Sequence, residues 1–485
     1  MRSDPPDVVL VVMDCVRYDL FAQQLASGAL PFLASVQDQF LRFSKAVAPA
    51  SWTIPSHASL FTGRYPWEHG AHYKGGAMLG PGVPTLAEFL REKGYRTECF
   101  SANGYVQPGT GLTRGFDRSL WGGDREFFLR ILAREASCPS LNGEDAAVHA
   151  ILDSDSRASA LRVGMMRALS RFTPMCDVLN RVGGKVVHAS PAYVGAWIEP
   201  EFDAALGANT GRPVFFFVNL LEAHEPYFAE AGLPVGLQEW LAYARTTQVS
   251  EEWKRGESRP SPADLAWSRR DYLASMRVLD ERIRTLAGHL RARGRWENTL
   301  LILTSDHGQT FGEGGSMYHR LNLQEEITRI PLWVKPPSGP GGPRDRAWVS
   351  LVDVPTTVVS AIDPGATFGD ASSVALTSAE GTGERTVFSL TDGLAKHESG
   401  ALSAARREEL DRVQVAAYRG PFKTILDQSG VEHRFRIDGS TARWLRPEDP
   451  DYAEAGVGEL APKLQTVLTL PEPTSVSQRI AGWGY

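Results

Sequence analysis

What this sequence has little of narrows its class first. Its four cysteines, Cys15, Cys99, Cys138 and Cys176, are scattered over 485 residues without a CxxC pair, so neither a disulfide framework nor a zinc knuckle is signalled and a reducing compartment is expected. Long apolar runs are missing as well. No stretch reaches the ~18 residues of a spanning helix, and the opening string MRSDPPD passes into VVLVVMD without a basic leader. There is also no basic surplus: 51 Lys and Arg stand against 57 Asp and Glu, for a net charge of -6. That balance argues against a surface built to neutralise many nucleic-acid phosphates. The expectation is a cytoplasmic protein with no membrane and no nucleic-acid partner.

What is present points to a large folded enzyme-sized body. Hydrophobic residues make up 42% of the chain and charged residues 22%, which leaves no room for a mainly disordered reading. Short apolar runs bounded by Gly, Pro or Asp alternate with segments of helical period, the pattern of a parallel sheet covered by helices. Val8–Met13, Phe215–Leu220 and Thr299–Leu303 are expected as buried strands. Ala266–Arg293 carries Tyr272, Met276, Leu279, Ile283 and Leu286 at helical spacing and is expected as a long amphipathic helix. About residues 121–201 the pattern turns helical, which reads as an inserted cap or as a helical layer on the sheet. Strand-like runs at Val413–Tyr418, Phe422–Asp427 and His433–Ile437 suggest a small antiparallel subdomain. The expected organisation is an α/β domain over 1–385 followed by an α+β subdomain over 386–485.

Four residues carry the first chemical signal. In SWTIPSHASLFTG, Pro55 suits a helix's first turn and Gly63 its end, so Pro55–Thr62 is predicted as a short helix with Thr53 in the turn before it. A hydroxyl at a helix's positive end can serve as a nucleophile beside a bound anion, or simply cap the helix. Asp14 follows the run VVLVVM, and Asp306 with His307 follows TLLILTS. Both loops can meet at the carboxyl edge of one sheet, where two carboxylates and an imidazole would suit a divalent ion. Taken singly, an Asp at a strand end is as readily a helix cap.

Taken together, VVLVVMDCVRYD, TIPSHASLFTGRYPWEHG, NTLLILTSDHG with GEGG shortly after, and YHRLNLQEEITRIPLWVK resemble the sulfatase-like branch of the alkaline phosphatase superfamily. The resemblance implies a large mixed, mostly parallel sheet sandwiched between helices, with a small antiparallel C-terminal subdomain. It implies a metal site at Asp14, Thr53, Asp306 and His307, with Thr53 in the nucleophile position. His224, in FFFVNLLEAHEPY, resembles the histidine near the leaving group or a substrate oxygen. His319 stands where relatives carry a Lys or His that contacts the transferred group, and Asn103 where they place a substrate-contacting side chain. Glu222 reads either as an acid behind the site or as a solvated loop residue. His69 is assigned to turn structure, and Arg17 with Asp19 to a buried structural ion pair or a loop clamp.

The departures from the family pattern shape the expected chemistry. Sulfatases carry two adjacent acids after the first strand, whereas Asp14 is followed by Cys15. Sulfatases also mature a Cys or Ser to formylglycine within a motif that continues with Pro and Arg. Here Thr53 and His57 fill those places, and threonine cannot give that aldehyde because its β-carbon already bears a methyl group. Gly314, not a histidine, follows Glu313. The expectation is a metal-dependent hydrolase of phosphate or phosphonate esters working through a covalent phosphothreonine. The alternatives are a sulfatase without formylglycine, a phosphoryl-type transferase, and a silent binding module. One divalent ion is expected. The imidazole of His307 favours Zn or Mn and leaves Ca open. A second metal, for which Glu222, His224 and His319 are the available ligands, is not expected. The substrate reads as a small-molecule ester, and the sequence identifies neither that ester nor the oligomeric state.

Overall fold

The computed structural model describes residues 5–121, 191–208, 211–225, 227, 248–249, 252–345, 347–378, 384–394, 402–439 and 441–469. Its centre is an eight-stranded sheet formed by β1 (Asp7–Met13), β2 (Leu41–Phe43), β3 (Arg96–Ser101), β4 (Arg118–Trp121), β5 (Val214–Leu220), β6 (Thr299–Thr304), β7 (Leu332–Lys335) and β8 (Gly342–Arg344). Their order across the sheet is β8-β2-β7-β6-β1-β5-β3-β4. The five strands from β6 to β4 run parallel, and β7 is antiparallel to both of its neighbours, so the sheet is mixed but mostly parallel.

The period-2 geometry of a strand explains why β1 reads as an unbroken apolar run. Val9, Val11 and Met13 enter one core cluster, while Val8, Leu10 and Val12 enter another on the opposite face. The first cluster is closed by the long helix Pro262–Ala292, through Tyr272, Met276, Leu279, Ile283 and Leu286. That helix begins four residues earlier than the apolar spacing indicates, because Ser261 accepts from the Asp264 amide in a capping box and Pro262 fills the first turn. The second cluster takes Ile54, Ala58, Leu60 and Phe61 from the helix Thr53–Thr62. Helices therefore cover both faces of the sheet.

A second, five-stranded antiparallel sheet runs β9 (Val387–Asp392), β10 (Val413–Arg419), β11 (Phe422–Asp427), β12 (Glu432–Asp438) and β13 (Thr441–Trp444) in sequence order. It fixes the approach to Thr53. The Ser51 amide donates to the Leu390 carbonyl (3.0 Å), the Leu390 amide donates to the Pro49 carbonyl (2.9 Å), and the Trp52 indole N–H donates to Asp392 (2.9 Å). Most of the segment expected as a cap, 121–201, lies outside the described residues; Pro191–Gly207, at its end, is helical. Among the described residues no helix is long and apolar enough to cross a membrane.

Candidate active site

Four adjacent parallel strands, β6, β1, β5 and β3, deliver side chains to one carboxyl edge of the sheet, the place where α/β folds hold their ligands. Asp14 follows β1, Asn103 follows β3, His224 follows β5, and Asp306 with His307 follows β6. Gly308 closes this last loop where no side chain fits, since a β-carbon there would stand 2.1 Å from the Glu326 carbonyl oxygen.

The structure corrects the expected position of Thr53. The helix starts at Thr53 itself rather than at Pro55, with Trp52 extended at the N-cap (φ -159). The physical reason is that amides of a helix's first turn need no intrahelical partner, so Pro55 sits inside that turn without cost. Gly63 ends the helix in the left-handed region at φ 66, with a hypothetical β-carbon only 2.8 Å from Gly369 Cα. His57, 0% exposed, braces the first turn: its Nδ1 donates to the Thr53 carbonyl (3.0 Å) and its Nε2 accepts from Asn219 Nδ2 (3.1 Å).

Asp14, Asp306 and His307 are each fully buried, and among the described residues each leaves one atom without a hydrogen bond: Asp14 Oδ1, Asp306 Oδ2 and His307 Nε2. His307 Nε2 is 3.2 Å from Asp306 Oδ2 and 4.0 Å from Asp14 Oδ1. The other ends of these groups are fixed. Asp14 Oδ2 accepts from Asn103 (2.8 Å) and Asn219 (3.3 Å), and Asp306 Oδ1 accepts from the amides of Cys15 (3.3 Å) and His307 (3.0 Å). His307 Nδ1 donates to the Gly308 carbonyl (3.0 Å), which leaves the Nε2 lone pair directed at the two carboxylates.

The electrostatics point the same way. Burial pushes Asp14 upward, but the imidazoles of His224, His307 and His57 and the Asn103 hydrogen bond outweigh it and hold the carboxyl below its ordinary value. Burial and the Asp14 charge drive Asp306 well above the carboxylate range. Burial, helped by His319, lowers His307 to about 3. Two carboxylates that resist ionising together beside a neutral imidazole are the donor set of a divalent cation, and the three atoms without a hydrogen bond are the ones that would meet it. The residues present fit a metal ion.

Asn103 ties this group to Thr53: its amide nitrogen lies 2.8 Å from Asp14 Oδ2 and 3.3 Å from Thr53 Oγ1. His224 and His319 lie at the same edge, ring centres 5.0 Å apart, and the His319 ring stacks on His307 at 4.5 Å. Glu222 does not join them. It is fully buried against Arg282 (3.2 Å), where burial outweighs the ion pair and lifts it to about 7. Arg17 clamps Asp19 (2.7 Å) and Glu313 (2.8 Å), and His69 Nε2 meets Ser59 Oγ at 3.0 Å, away from the metal-facing atoms.

Sequence reasoning missed four members of the site. Cys15 Sγ lies 3.7 Å from His307 Nδ1 and 3.8 Å from His319 Nδ1, on a backbone at φ 64. Glu225 Oε1 is 3.5 Å from His319 Nδ1. Asn219 and His57 complete the set, and the available signal was adjacency: Cys15 follows Asp14 and Glu225 follows His224.

With this geometry in place, the sulfatase family model matches residues 6–364. The chain belongs to the sulfatase family. Family members are metal-dependent, in keeping with the cluster at Asp14, Cys15 and His307. The chain is similar to the choline-sulfatase of Rhizobium meliloti (24% identical over 360 residues, 70% of this chain and 64% of that protein). It is also similar to the iduronate 2-sulfatase of Mus musculus (20% identical, 69% and 60%), so it spans a little under two thirds of these relatives. In fold it is similar to the phosphonate monoester hydrolase of Agrobacterium radiobacter, with a TM-score of 0.63, 19% identity, and 96% of this chain and 95% of that one covered. That of Silicibacter pomeroyi gives 0.59, 17% identity, 96% and 94%.

Proposed function

We propose that this protein hydrolyses phosphate or phosphonate esters through a covalent intermediate on Thr53. The observation that carries the reading is the Asn103 bridge, which joins the Thr53 hydroxyl to the carboxylate of Asp14 within hydrogen-bonding range of both. Asp14, Asp306 and His307 would hold one divalent ion. When bound, such an ion lowers the pKa of a neighbouring hydroxyl and offsets charge on the transferred group.

The chain's own residues then account for the rest. Thr53, at the first position of its helix, presents Oγ1 where free amides and the helix dipole favour an anion. Asn103 donates to one lone pair of Oγ1 and so orients the other toward phosphorus; the hydroxyl proton passes to water as Oγ1 attacks in line and the ester oxygen departs opposite. His224 and His319 furnish positive charge or a proton for that departing oxygen. Water then attacks phosphorus, the P–O bond to Thr53 breaks, and one of that water's protons passes to Oγ1 to regenerate the hydroxyl.

Sulfate-ester hydrolysis is the second reading, favoured by the family match and the sulfatase relatives. It faces a chemical obstacle at Thr53. A formylglycine hydrate releases sulfate by elimination across its geminal diol, and threonine has one hydroxyl only. The discriminating experiment is a panel of aryl phosphate monoesters, phosphodiesters, phosphonate monoesters and sulfates, assayed with Zn, Mn, Ca and no metal. Turnover of phosphorus esters in a metal-dependent manner is expected; efficient turnover of sulfates alone would replace this reading with the sulfatase one.

A further inference from the structure

Beside the first group of ligand atoms stands another that the reaction outlined above does not require in this form. Cys15, His224, Glu225 and His319 each offer one ligand atom, and these atoms all lie within 4.8 Å of one another. Cys15 follows β1, His224 and Glu225 follow β5, and His319 follows the short strand Met317–Tyr318 between β6 and β7. Glu225 Oε1 is 3.5 Å from His319 Nδ1, and Cys15 Sγ is 3.8 Å from that nitrogen.

The assembly is held in place from behind. His224 Nδ1 donates to the Glu225 carbonyl at 2.5 Å, so its Nε2 keeps a free lone pair. Cys15 sits at φ 64, a conformation costly for a side chain with a β-carbon, and is kept there by the Tyr272 hydroxyl donating to its carbonyl (2.9 Å). Glu225 Oε2 is buried, lies 3.6 Å from His224 Nδ1, and has no hydrogen-bond partner among the described residues. One thiol, two imidazoles and one carboxylate at this spacing make a complete four-coordinate set for a borderline-soft ion.

We propose that Cys15, His224, Glu225 and His319 bind a second transition-metal ion of the zinc class, adjacent to the first. This revises the single-ion expectation. Glu222, the acid available from sequence, is paired with Arg282, while Glu225, three residues on, faces the histidines. The positive charge assigned above to His224 and His319 is then that of a cation they hold, placed to stabilise the departing oxygen. The inference rests on the reading of Asp14, Asp306 and His307 as the first site, but not on the chemistry of Thr53.

Cobalt(II) serves as the probe. The full chain is stripped with chelator, titrated with cobalt without oxygen, and followed by elemental analysis and absorption. Two ions per chain are expected, with a near-ultraviolet sulfur-to-cobalt charge-transfer band. Cys15→Ser should lose the band, and Glu225→Gln should bind one ion, each with wild-type circular dichroism. Asp306→Ala should bind one ion and keep the band. Wild-type protein that binds one ion, lost in Asp306→Ala, would overturn this proposal and leave the first site standing, and a sulfur band on that single ion would place Cys15 with Asp14 and His307 instead. Full binding of both ions in Asp306→Ala would instead refute the first site.

Discussion

Two polar clusters in this molecule are each built around buried carboxylates and organised in opposite ways. Around Glu325, Lys423 donates to Oε1 (2.7 Å), the Tyr418 hydroxyl donates to the same oxygen (2.9 Å), and Arg329 reaches Oε2 at 3.4 Å. Both carboxylate oxygens have protein partners, and the group links the helix Glu325–Thr328 to β10 and β11. Around Asp14, Asp306 and His307, by contrast, one face of every group is fixed and the other converges on atoms without partners. A cluster that satisfies itself holds structure; convergent ligand atoms left open are arranged for a charge from outside.

The largest effect should come from the open cluster. Asp306→Ala or Thr53→Ala should lower kcat by more than about 10⁴-fold, the scale of losing one member of a reacting unit, while thermal stability without added metal stays close to wild type. Steady-state kinetics beside a melting curve checks this. Retained turnover in either variant would erase the contrast between the clusters.

The closed cluster should respond the other way. Lys423→Met leaves Glu325 buried with a lost partner and should cost about 3–5 kcal/mol of stability, with activity per folded molecule unchanged. Adding Glu325→Leu should recover much of that loss, and denaturant unfolding of the double-mutant cycle reads it. A sharper version concerns Asp392, buried under Trp52 and Tyr73, where burial outweighs the hydrogen bonds it accepts and lifts its pKa from 3.8 to about 6. The folded state then holds a proton that the unfolded state has released between those values. Stability from this group is therefore present below pH 3.8 and lost as pH rises through about 6, by on the order of 3 kcal/mol. Asp392→Asn should flatten that slope in melting temperatures taken across the interval.

The smallest effect should come from the bridge between metal-facing acid and hydroxyl. Asn103→Ala should reduce kcat/KM by about 10- to 100-fold, the scale of losing an orienting partner. No change in kinetics would mean that Asn103 merely fills space.

How much of this was legible beforehand depends on what each feature requires. β11 matches its expected run, Phe422–Asp427, and β1, β5 and β6 each differ by one terminal residue, because buried strands write themselves as apolar runs. Asp14, Asp306, His307, Thr53, Asn103, His224 and His319 were nameable from their strings, and the structure brings them to one edge. The left-handed backbone of Cys15 was not legible, since no residue type announces it. The choice between Glu222 and Glu225 was not either. Both lie in one loop after β5, and only the turn there decides which faces Arg282 and which the histidines.

The proposed reaction requires that Thr53 carry the transferred group on its hydroxyl. Its most direct test is rapid acid quenching of the metal-loaded enzyme during turnover of an aryl phosphonate or phosphate ester, followed by mass spectrometry of the peptide that contains Thr53. The mass increment of a phosphonyl or phosphoryl group is expected on Thr53, absent from Thr53→Ala. An unmodified Thr53 under conditions where the ester is being consumed would contradict it.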